Sequence, residues 1–264
     1  PAVTSTLITN IGELSTMDPA RGTESVLKQA AVVLEGERIA WLGPATQAPA
    51  ADAVHDAGGR AALPGWVDSH THLVFAGDRS AEFAARLAGE EYSAGGIAVT
   101  TEATRNAGDY DLTRLLLARR AEAAAGGTTW VETKTGYGLD VEQETRSARI
   151  ASSVVDDVTF LGAHLVPDGM DAEEYTDLVC GPMLAAVRPY VQWADVFCER
   201  GAFTEDQSRR VLAACRAAGL GLRVHGNQLG HGAGVRLAVE FGAASVDHVN
   251  HLTDDDVAAL AGTW

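Results

Sequence analysis

The chain has 264 residues, of which 46% are hydrophobic and 21% charged, a composition typical of globular proteins and unlike that of disordered ones. Its length fits one α/β barrel of about 250 residues. Its 20 basic and 36 acidic residues give a net charge of −16 at pH 7, which argues against nucleic acid or an anionic membrane as a partner.

The first part of the chain is predicted to be a small β-module. Two apolar runs within residues 30–42 are separated by Gly36, Glu37 and Arg38, which predicts a hairpin with its turn at residues 35–37. We assign residues 1–61 to this N-terminal module, of β-sandwich type, and residues 62–264 to a second domain.

From Leu63 onward, short apolar strands alternate with amphipathic helices, which predicts a mainly parallel sheet. The predicted strands are 63–74, 128–133, 158–165, 194–198, 221–224 and 244–248. The predicted helices are 111–125, 141–152, 172–187, 205–218, 234–241 and 254–261.

Each predicted strand ends in polar residues of the kind that bind ligands. These residues are His70, His72, Glu132, Lys134, His164, Glu199, His225, Asp247 and His248. Polar carboxyl ends on every strand are typical of the active face of a (β/α)8 barrel, whereas an open doubly wound sheet binds its ligand at one switch point. We therefore expect an α/β fold of the TIM-barrel type, with six of its eight strands in this chain.

The pair His70 and His72 indicates a metal site. Residues i and i+2 of a strand share a face, so both rings can reach one ion. The pair alone is weak evidence for a metal site. His225 and His248, at the ends of further strands, bring four imidazoles to the same end of the predicted barrel. Zn²⁺, Fe²⁺ and Mn²⁺ can all use such ligands. Because the chain lacks a serine or cysteine nucleophile motif, we expect a metal-activated water as nucleophile.

Other polar features have simpler interpretations. The glycine-rich segment 225–234 lacks the P-loop and dinucleotide-binding spacings, so we expect a loop in which His231 is a surface residue. Lys134 is either a helper cation or a partner of Glu132. The three cysteines, Cys180, Cys198 and Cys215, form no CxxC motif and predict buried free thiols. With no signal peptide and no apolar run of about 18 residues, we expect a cytoplasmic protein without a membrane partner.

Several motifs together resemble those of the imidazolonepropionase family of the amidohydrolase superfamily. They are PGWVDSHTHLVFAGDR, KTGYGL, FLGAHLVP, VFCE, VHGNQL and VDHV, within a resemblance that runs from about Ile8 to Trp264. The resemblance implies hydrolysis of 4-imidazolone-5-propanoate to N-formimidoyl-L-glutamate in histidine catabolism, by attack of a hydroxide bound to Zn²⁺ or Fe²⁺. It also implies a homodimer.

The resemblance implies a role for each matching residue. His70, His72 and His225 would be metal ligands, and His248 would assist proton transfer. Arg79 would bind the substrate carboxylate, and Tyr92, Tyr137 and His164 would line the pocket. Gln228 stands where some relatives carry glutamate, so a carboxylate base at this position is not available here. From the residues alone, Arg79 could equally be a surface residue paired with Asp78 or Glu82, and Tyr137 could pack beneath its loop.

The resemblance also predicts what lies beyond this chain. The family places a further metal-binding aspartate at the end of strand eight, and the sequence stops before strand seven is complete. Asp254, Asp255 and Asp256 do not replace it, because acidic residues there fit the first turn of a helix. We expect a barrel truncated before strands seven and eight, and an N-terminal module that lacks its C-terminal strands.

Two alternatives remain open at this point. The first is another amidohydrolase, such as a ring deaminase, which would share the metal site but would not need Arg79, Tyr92 and Tyr137. The second is an inactive metal-binding fragment, which would bind metal without turnover.

Overall fold

The structure is a computed structural model that describes residues 4–78, 80–89 and 95–263. It divides the chain into two compact units, Pro1–Trp66 and Val67–Trp264. The boundary predicted from the sequence falls after residue 61, and that assignment stays a prediction. Two predicted substrate-binding residues, Arg79 and Tyr92, lie outside the described residues.

The first unit is built on a five-stranded sheet. Its strands are β1 (Ser5–Ser15), β2 (Val26–Glu35), β3 (Arg38–Pro44), β4 (Ala53–Asp56) and β5 (Ala61–Ala62). The order is β3-β2-β1-β4, with β5 also paired to β1. The predicted hairpin is confirmed, because Glu35 pairs with Arg38 in an antiparallel ladder. Gly36 adopts a φ of 58° in its turn, which glycine tolerates without steric cost.

The second unit is built on a six-stranded sheet in the order β11-β10-β9-β8-β7-β6. Its strands are β6 (Trp66–Asp68), β7 (Thr128–Lys134), β8 (Asp157–Ala163), β9 (Trp193–Cys198), β10 (Gly221–Gly226) and β11 (Ser245–His248). The pairings from β7 to β11 are all parallel. This sheet confirms the predicted barrel-type α/β fold.

The helices that connect and cover these strands follow the predicted alternation. They are α1 (Ser80–Leu87), α2 (Gly95–Asn106), α3 (Asp109–Ala125), α4 (Val141–Ser152), α5 (Ala172–Leu178), α6 (Leu184–Val187), α7 (Glu205–Ala217), α8 (Gly234–Glu240) and α9 (Asp254–Ala261). Thr253 caps α9 in a reciprocal box with Asp256, so the acidic triplet begins a helix as predicted. In the described part of the chain, no helix combines the length and the apolar character needed to cross a membrane.

Two of the predicted elements were wrong in extent, and two helices were missed. The predicted strand 63–74 is a strand only at Trp66–Asp68. The predicted helix 172–187 is interrupted by a π-helical turn at Val179–Met183, which contains Pro182, a residue without an amide hydrogen. The helices α1 and α2 were not predicted.

The strands of the second unit present two different faces. Ala194, Val196 and Val224 point into the hydrophobic core beneath the helices, where they are fully buried. Alternate residues, such as Asp195 and His225, point to the opposite face and are buried as well. The period of two therefore separates an apolar layer from a polar interior, and that interior holds the candidate site.

Candidate metal centre

Three histidines come together at the carboxyl ends of the strands. His70 and His72 lie in the segment that follows β6, and His225 lies near the end of β10. One ring nitrogen of each lies within 4.8 Å of the others. The ring centroids of His70 and His225 are 4.5 Å apart, and those of His70 and His72 are 5.3 Å apart. The three predicted ligands thus form one cluster.

Two carboxylates orient these rings. His70 Nδ1 lies 2.8 Å from Asp247 Oδ2, and His225 Nδ1 lies 2.9 Å from Asp195 Oδ2. A carboxylate on one ring nitrogen is the usual partner of a metal-binding histidine, because it fixes the tautomer that leaves the other nitrogen free to bind. Among the described residues, the buried His72 Nδ1 has no hydrogen-bond partner. The donor set therefore fits a divalent metal ion of the kind that imidazoles bind.

Burial also keeps His72 in the form that binds metals. Burial, followed by the charges of His164 and His225, lowers the pKa of His72 well below its usual value. A histidine must be neutral to coordinate a metal ion, so His72 needs no proton release at neutral pH.

Beneath the histidines lies a buried charge cluster around Lys134. Lys134 Nζ is 3.0 Å from Glu132 Oε1, 3.0 Å from Asp195 Oδ2 and 3.6 Å from Asp247 Oδ2. Burial would raise the pKa of Asp195, but the charges and hydrogen bonds of His225 and Lys134 outweigh it and hold that pKa well below the usual value. Asp195, His225 and Asp247 also satisfy the spacing of a metal-binding group, but the ammonium already contacts both carboxylates.

The segment that carries the histidine pair is held by side-chain hydrogen bonds together with one main-chain hydrogen bond. The Thr71 hydroxyl donates to the Glu132 carbonyl at 2.5 Å, and Lys134 N donates to the Thr71 carbonyl at 2.8 Å. The main-chain N–H of Leu73 donates to Thr133 Oγ1 at 2.8 Å. These mixed contacts explain why the segment after Asp68 leaves the predicted strand yet still runs beside β7.

His248, at the end of β11, lies against two of the three histidines, His70 and His225. Its ring centroid is 5.0 Å from those of His70 and His225. Partial burial and the charges of His225 and His70 lower its pKa to about 4. Its φ of 73° and the φ of 45° at the next residue, Val249, are unfavourable for residues with side chains, and such strain concentrates at functional sites.

Tyr137 and His164 form the wall beside His72. The His164 ring stacks on that of His72, with centroids 5.4 Å apart and an interplanar angle of 19°. The Tyr137 ring centroid lies 5.8 Å from His72 and 5.4 Å from His164. Phe197 packs edge-on to His164 and His225 at 6.0 and 5.8 Å. Phe197 was not among the predicted site residues, although the period of two on β9 puts it on the same face as Asp195.

A buried carboxylate anchors the loop that carries Tyr137. Glu144 on α4 accepts the main-chain N–H groups of Gly136, Gly138 and Leu139, at 3.1, 2.6 and 3.0 Å from its Oε1. The Gly136 carbonyl in turn lies 2.8 Å from His164 Nδ1. This arrangement couples one helix residue to both wall residues, and it was not predicted from the sequence.

Gln228 lies two residues beyond the end of β10. Its main-chain N–H donates to Glu199 Oε1 at 2.5 Å, and its carbonyl accepts from Asn250 Nδ2 at 3.3 Å. Its backbone therefore ties together the loops after β9, β10 and β11. His231 and His251 are both exposed, as the sequence predicts for His231.

The predicted partner of Lys134 was only part of the arrangement. Glu132 contacts it as expected, but Asp195 and Asp247 do so too. Asp195 was missed, although an aspartate inside the apolar strand WADVFC is a visible signal for a buried partner. The thiols of Cys198 and Cys215 are buried as predicted, whereas Cys180 is half-buried.

Comparison with known proteins finds relatives that align with nearly the whole chain. No protein-family profile matches the chain. The chain is 76% identical over 260 residues to an imidazolonepropionase of Arthrobacter sp. (strain FB24), covering 98% of this chain and 64% of that protein. It is 75% identical over 260 residues to an imidazolonepropionase of Paenarthrobacter aurescens (strain TC1), covering 98% of this chain and 63% of that protein. The chain thus spans a little under two thirds of the length of these relatives.

Solved structures share the fold at low sequence identity. A crystal structure titled as an amidohydrolase aligns with a TM-score of 0.64 at 14% identity, over 98% of this chain and 64% of that one. A triazine hydrolase from Arthrobacter aurescens aligns with a TM-score of 0.59 at 16% identity, over 90% of this chain and 58% of that one. A mutant atrazine chlorohydrolase from Arthrobacter aurescens TC1, complexed with zinc and atraton, aligns with a TM-score of 0.53 at 16% identity, over 83% of this chain and 52% of that one.

An imidazolonepropionase of Mycolicibacterium smegmatis is 56% identical to the chain over 265 residues, which cover 99% of this chain and 67% of that protein. With this relative and the two closer ones, the chain belongs to the imidazolonepropionase family.

Proposed function

We propose that the protein hydrolyses the cyclic amide of 4-imidazolone-5-propanoate to N-formimidoyl-L-glutamate, with one divalent metal ion held by His70, His72 and His225. The observation that carries the proposal is the meeting of these three rings, two of them hydrogen-bonded to the carboxylates of Asp195 and Asp247, in a member of the imidazolonepropionase family. Zn²⁺ and Fe²⁺ both suit the ligands. The zinc named for the atrazine chlorohydrolase supports a metal in this fold without fixing the ion.

When bound, the metal ion activates water and polarises the amide carbonyl. The reaction adds the elements of water across the ring C–N bond, so a proton must leave the water and reach the departing nitrogen. His248 borders the cluster, and its lowered pKa of about 4 leaves a ring nitrogen free to accept that proton at neutral pH. We assign proton transfer to His248.

The other assignments concern substrate binding. Tyr137 and His164 flank His72 and offer polar atoms and ring faces to a planar heterocycle. Gln228 has an amide that can donate or accept a hydrogen bond but carries no proton to transfer, so we assign it to orienting the substrate or the water. We assign Arg79 to the propionate carboxylate, since a protein of net charge −16 needs a local cation for an anionic substrate, and Tyr92 to the same pocket.

Three further expectations remain proposals. We assign the chain to the cytoplasm on its unpaired cysteines, and we expect a homodimer as in the family. The two-unit division is consistent with a β-module at residues 1–61 that precedes an amidohydrolase barrel.

The test is an ultraviolet assay of imidazolone loss in wild type and Arg79→Ala, with the exposed Arg114→Ala as control. A charge-assisted hydrogen bond contributes about 1.5–3 kcal/mol, so Arg79→Ala should raise KM by about 10- to 150-fold. A KM unchanged from wild type would contradict the carboxylate assignment. Release of ammonia from a heterocycle that carries a ring amine, with no loss of imidazolone, would instead identify a ring deaminase, and bound metal without turnover on either compound would identify an inactive metal-binding protein.

A further inference from the structure

Lys134 is unusual for this chain. Eighteen of its twenty basic residues are arginine, and Lys134 is one of only two lysines. Its side chain is fully enclosed, with 0% exposure. A buried ammonium is costly unless it is paired, so its position calls for an explanation beyond solubility.

The three carboxylates around Lys134 each act on a different part of the histidine cluster. Asp195 contacts Lys134 Nζ at 3.0 Å and orients His225 at 2.9 Å through the same oxygen, Oδ2. Asp247 contacts Nζ at 3.6 Å and orients His70 at 2.8 Å, also through one oxygen, Oδ2. One ammonium therefore contacts the same carboxylate oxygens that orient His225 and His70.

The third carboxylate reaches the segment between the two histidines of the pair. Glu132 Oε1 accepts from Lys134 Nζ at 3.0 Å, while its Oε2 accepts the main-chain N–H of Thr71 at 3.2 Å. Thr71 separates His70 from His72, so its backbone position sets where both rings begin. The ammonium is thereby linked to every segment that supplies a histidine.

We propose that Lys134 is a positioning residue of the metal centre, whose ammonium holds Glu132, Asp195 and Asp247 in the arrangement that aims the three histidines at one point before the metal arrives. The proposal rests on the proposed function only in taking this cluster as the metal site. Lysine suits the task because its three donors on one atom can diverge toward three carboxylates, whereas the guanidinium of arginine is a planar fork.

The charge balance agrees with this role. The formal charges of the three carboxylates and the ammonium sum to −2, which leaves two negative charges beneath the imidazole rings. That remainder matches a divalent cation. Without the ammonium, three carboxylates would face one another in a buried space and would rearrange or take up protons. The histidines that depend on them would then lose their fixed orientation.

The test measures metal affinity without substrate. We compare Zn²⁺ affinity, by competition with a fluorescent chelator, in wild type, Lys134→Met and the surface control Lys28→Met. Removing the partners of metal-binding histidines typically costs 10- to 100-fold in metal affinity, so Lys134→Met should bind Zn²⁺ at least about tenfold more weakly. Lys28→Met should match wild type. A Lys134→Met affinity within twofold of wild type would overturn the proposal.

A second readout follows the orientation of the rings directly. In metal-free wild type, nuclear magnetic resonance should show slowly exchanging Nδ1 protons for His70 and His225, held by their carboxylates. Lys134→Met should lose or broaden both signals. Their persistence at wild-type positions would count against the positioning role.

A double variant separates positioning from simple charge compensation if Lys134→Met fails to fold. Lys134→Met combined with Glu132→Gln removes one charge of each sign, and the glutamine oxygen can still accept from Thr71. The proposal expects Zn²⁺ affinity to remain at least about tenfold weaker; recovery to the wild-type value would refute it. Wild type that binds Zn²⁺ but does not hydrolyse the substrate would contradict the proposed function alone, whereas wild type that binds no divalent cation would overturn both.

Discussion

Replacing one carboxylate oxygen of Glu144 should destabilise the loop that carries Tyr137. Glu144 is completely buried, and its carboxylate receives N–H groups from Gly136, Gly138 and Leu139. In Glu144→Gln one oxygen becomes an amide nitrogen that cannot accept a hydrogen bond, and the remaining contacts lose their charge. Hydrogen bonds to charged groups contribute about 1.5–3 kcal/mol against about 0.5–1.5 for neutral ones, so three weakened contacts cost about 3 kcal/mol.

Part of that cost is offset by the removal of a buried charge. Burial raises the pKa of Glu144 in spite of its hydrogen bonds, which shows that desolvation opposes the charged form. The neutral glutamine avoids this penalty, so we expect a net loss of about 2 kcal/mol in the free energy of unfolding. For a unit of about 200 residues this corresponds to a fall of about 4–8 °C in Tm.

The same variant should affect substrate binding more than turnover. The loop that Glu144 anchors carries Tyr137, and its Gly136 carbonyl orients His164. Loosening this loop therefore disturbs the pocket wall and leaves His70 and His225 in place. We expect KM to rise severalfold with a smaller change in kcat. The measurements are thermal unfolding and steady-state kinetics, with the exposed Glu142→Gln on the same helix as control. A Tm and KM equal to those of the control would refute the reasoning.

Two further predictions concern the loop after His72 and the thiols. Arg119 Nη1 donates to the carbonyls of Leu73 and Phe75 at 2.6 and 2.8 Å. Arg119→Lys should therefore lower the urea midpoint by the equivalent of about 2 kcal/mol in the free energy of unfolding, while the exposed Arg114→Lys on the same helix should leave it unchanged. Equal midpoints for the two variants would contradict this prediction. Burial raises the pKa of Cys215 from 9.0 to about 12, so the folded state holds a proton that the unfolded thiol releases in this window. The resulting stability is present below pH 9 and is lost as the pH rises toward 12. Alkylation of the native protein at pH 8.5, followed by mass spectrometry, should label Cys215 after the other two cysteines. Early labelling of Cys215 would be inconsistent with its burial.

The regular elements of the second unit could be predicted because their periodicity is strong. The predicted helices 141–152 and 254–261 match α4 and α9, and the predicted strands of the parallel sheet differ from β7 to β11 by at most two residues at either end. The strands β8, β9 and β10 and the helix α4 bury apolar residues in the core, so hydrophobic spacing identifies them, whereas the buried residue of α9 is Asp256. The helices α1 and α2 were not predicted, although their apolar residues recur at a helical spacing at least as regular as that of α9.

The clustering of the three histidines could be predicted from the sequence, but the contacts that orient them could not. Histidines at strand ends indicated His70, His72 and His225 correctly as neighbours, although the first two lie beyond the strand that was expected to align them. Their orientation depends on contacts between residues distant in sequence, such as His225 with Asp195 and His70 with Asp247. A single sequence does not show which distant residues pair with one another.

The central claim is that one divalent metal ion held by the three histidines supports hydrolysis of the ring amide. Its most direct test is to measure bound metal by mass spectrometry together with imidazolone turnover, in wild type and in His225→Ala, before and after chelation. The account predicts that wild type holds one ion per chain, that chelation abolishes turnover, that added Zn²⁺ or Fe²⁺ restores it, and that His225→Ala loses metal and activity together. Turnover that persists in the metal-free protein or in His225→Ala would contradict it.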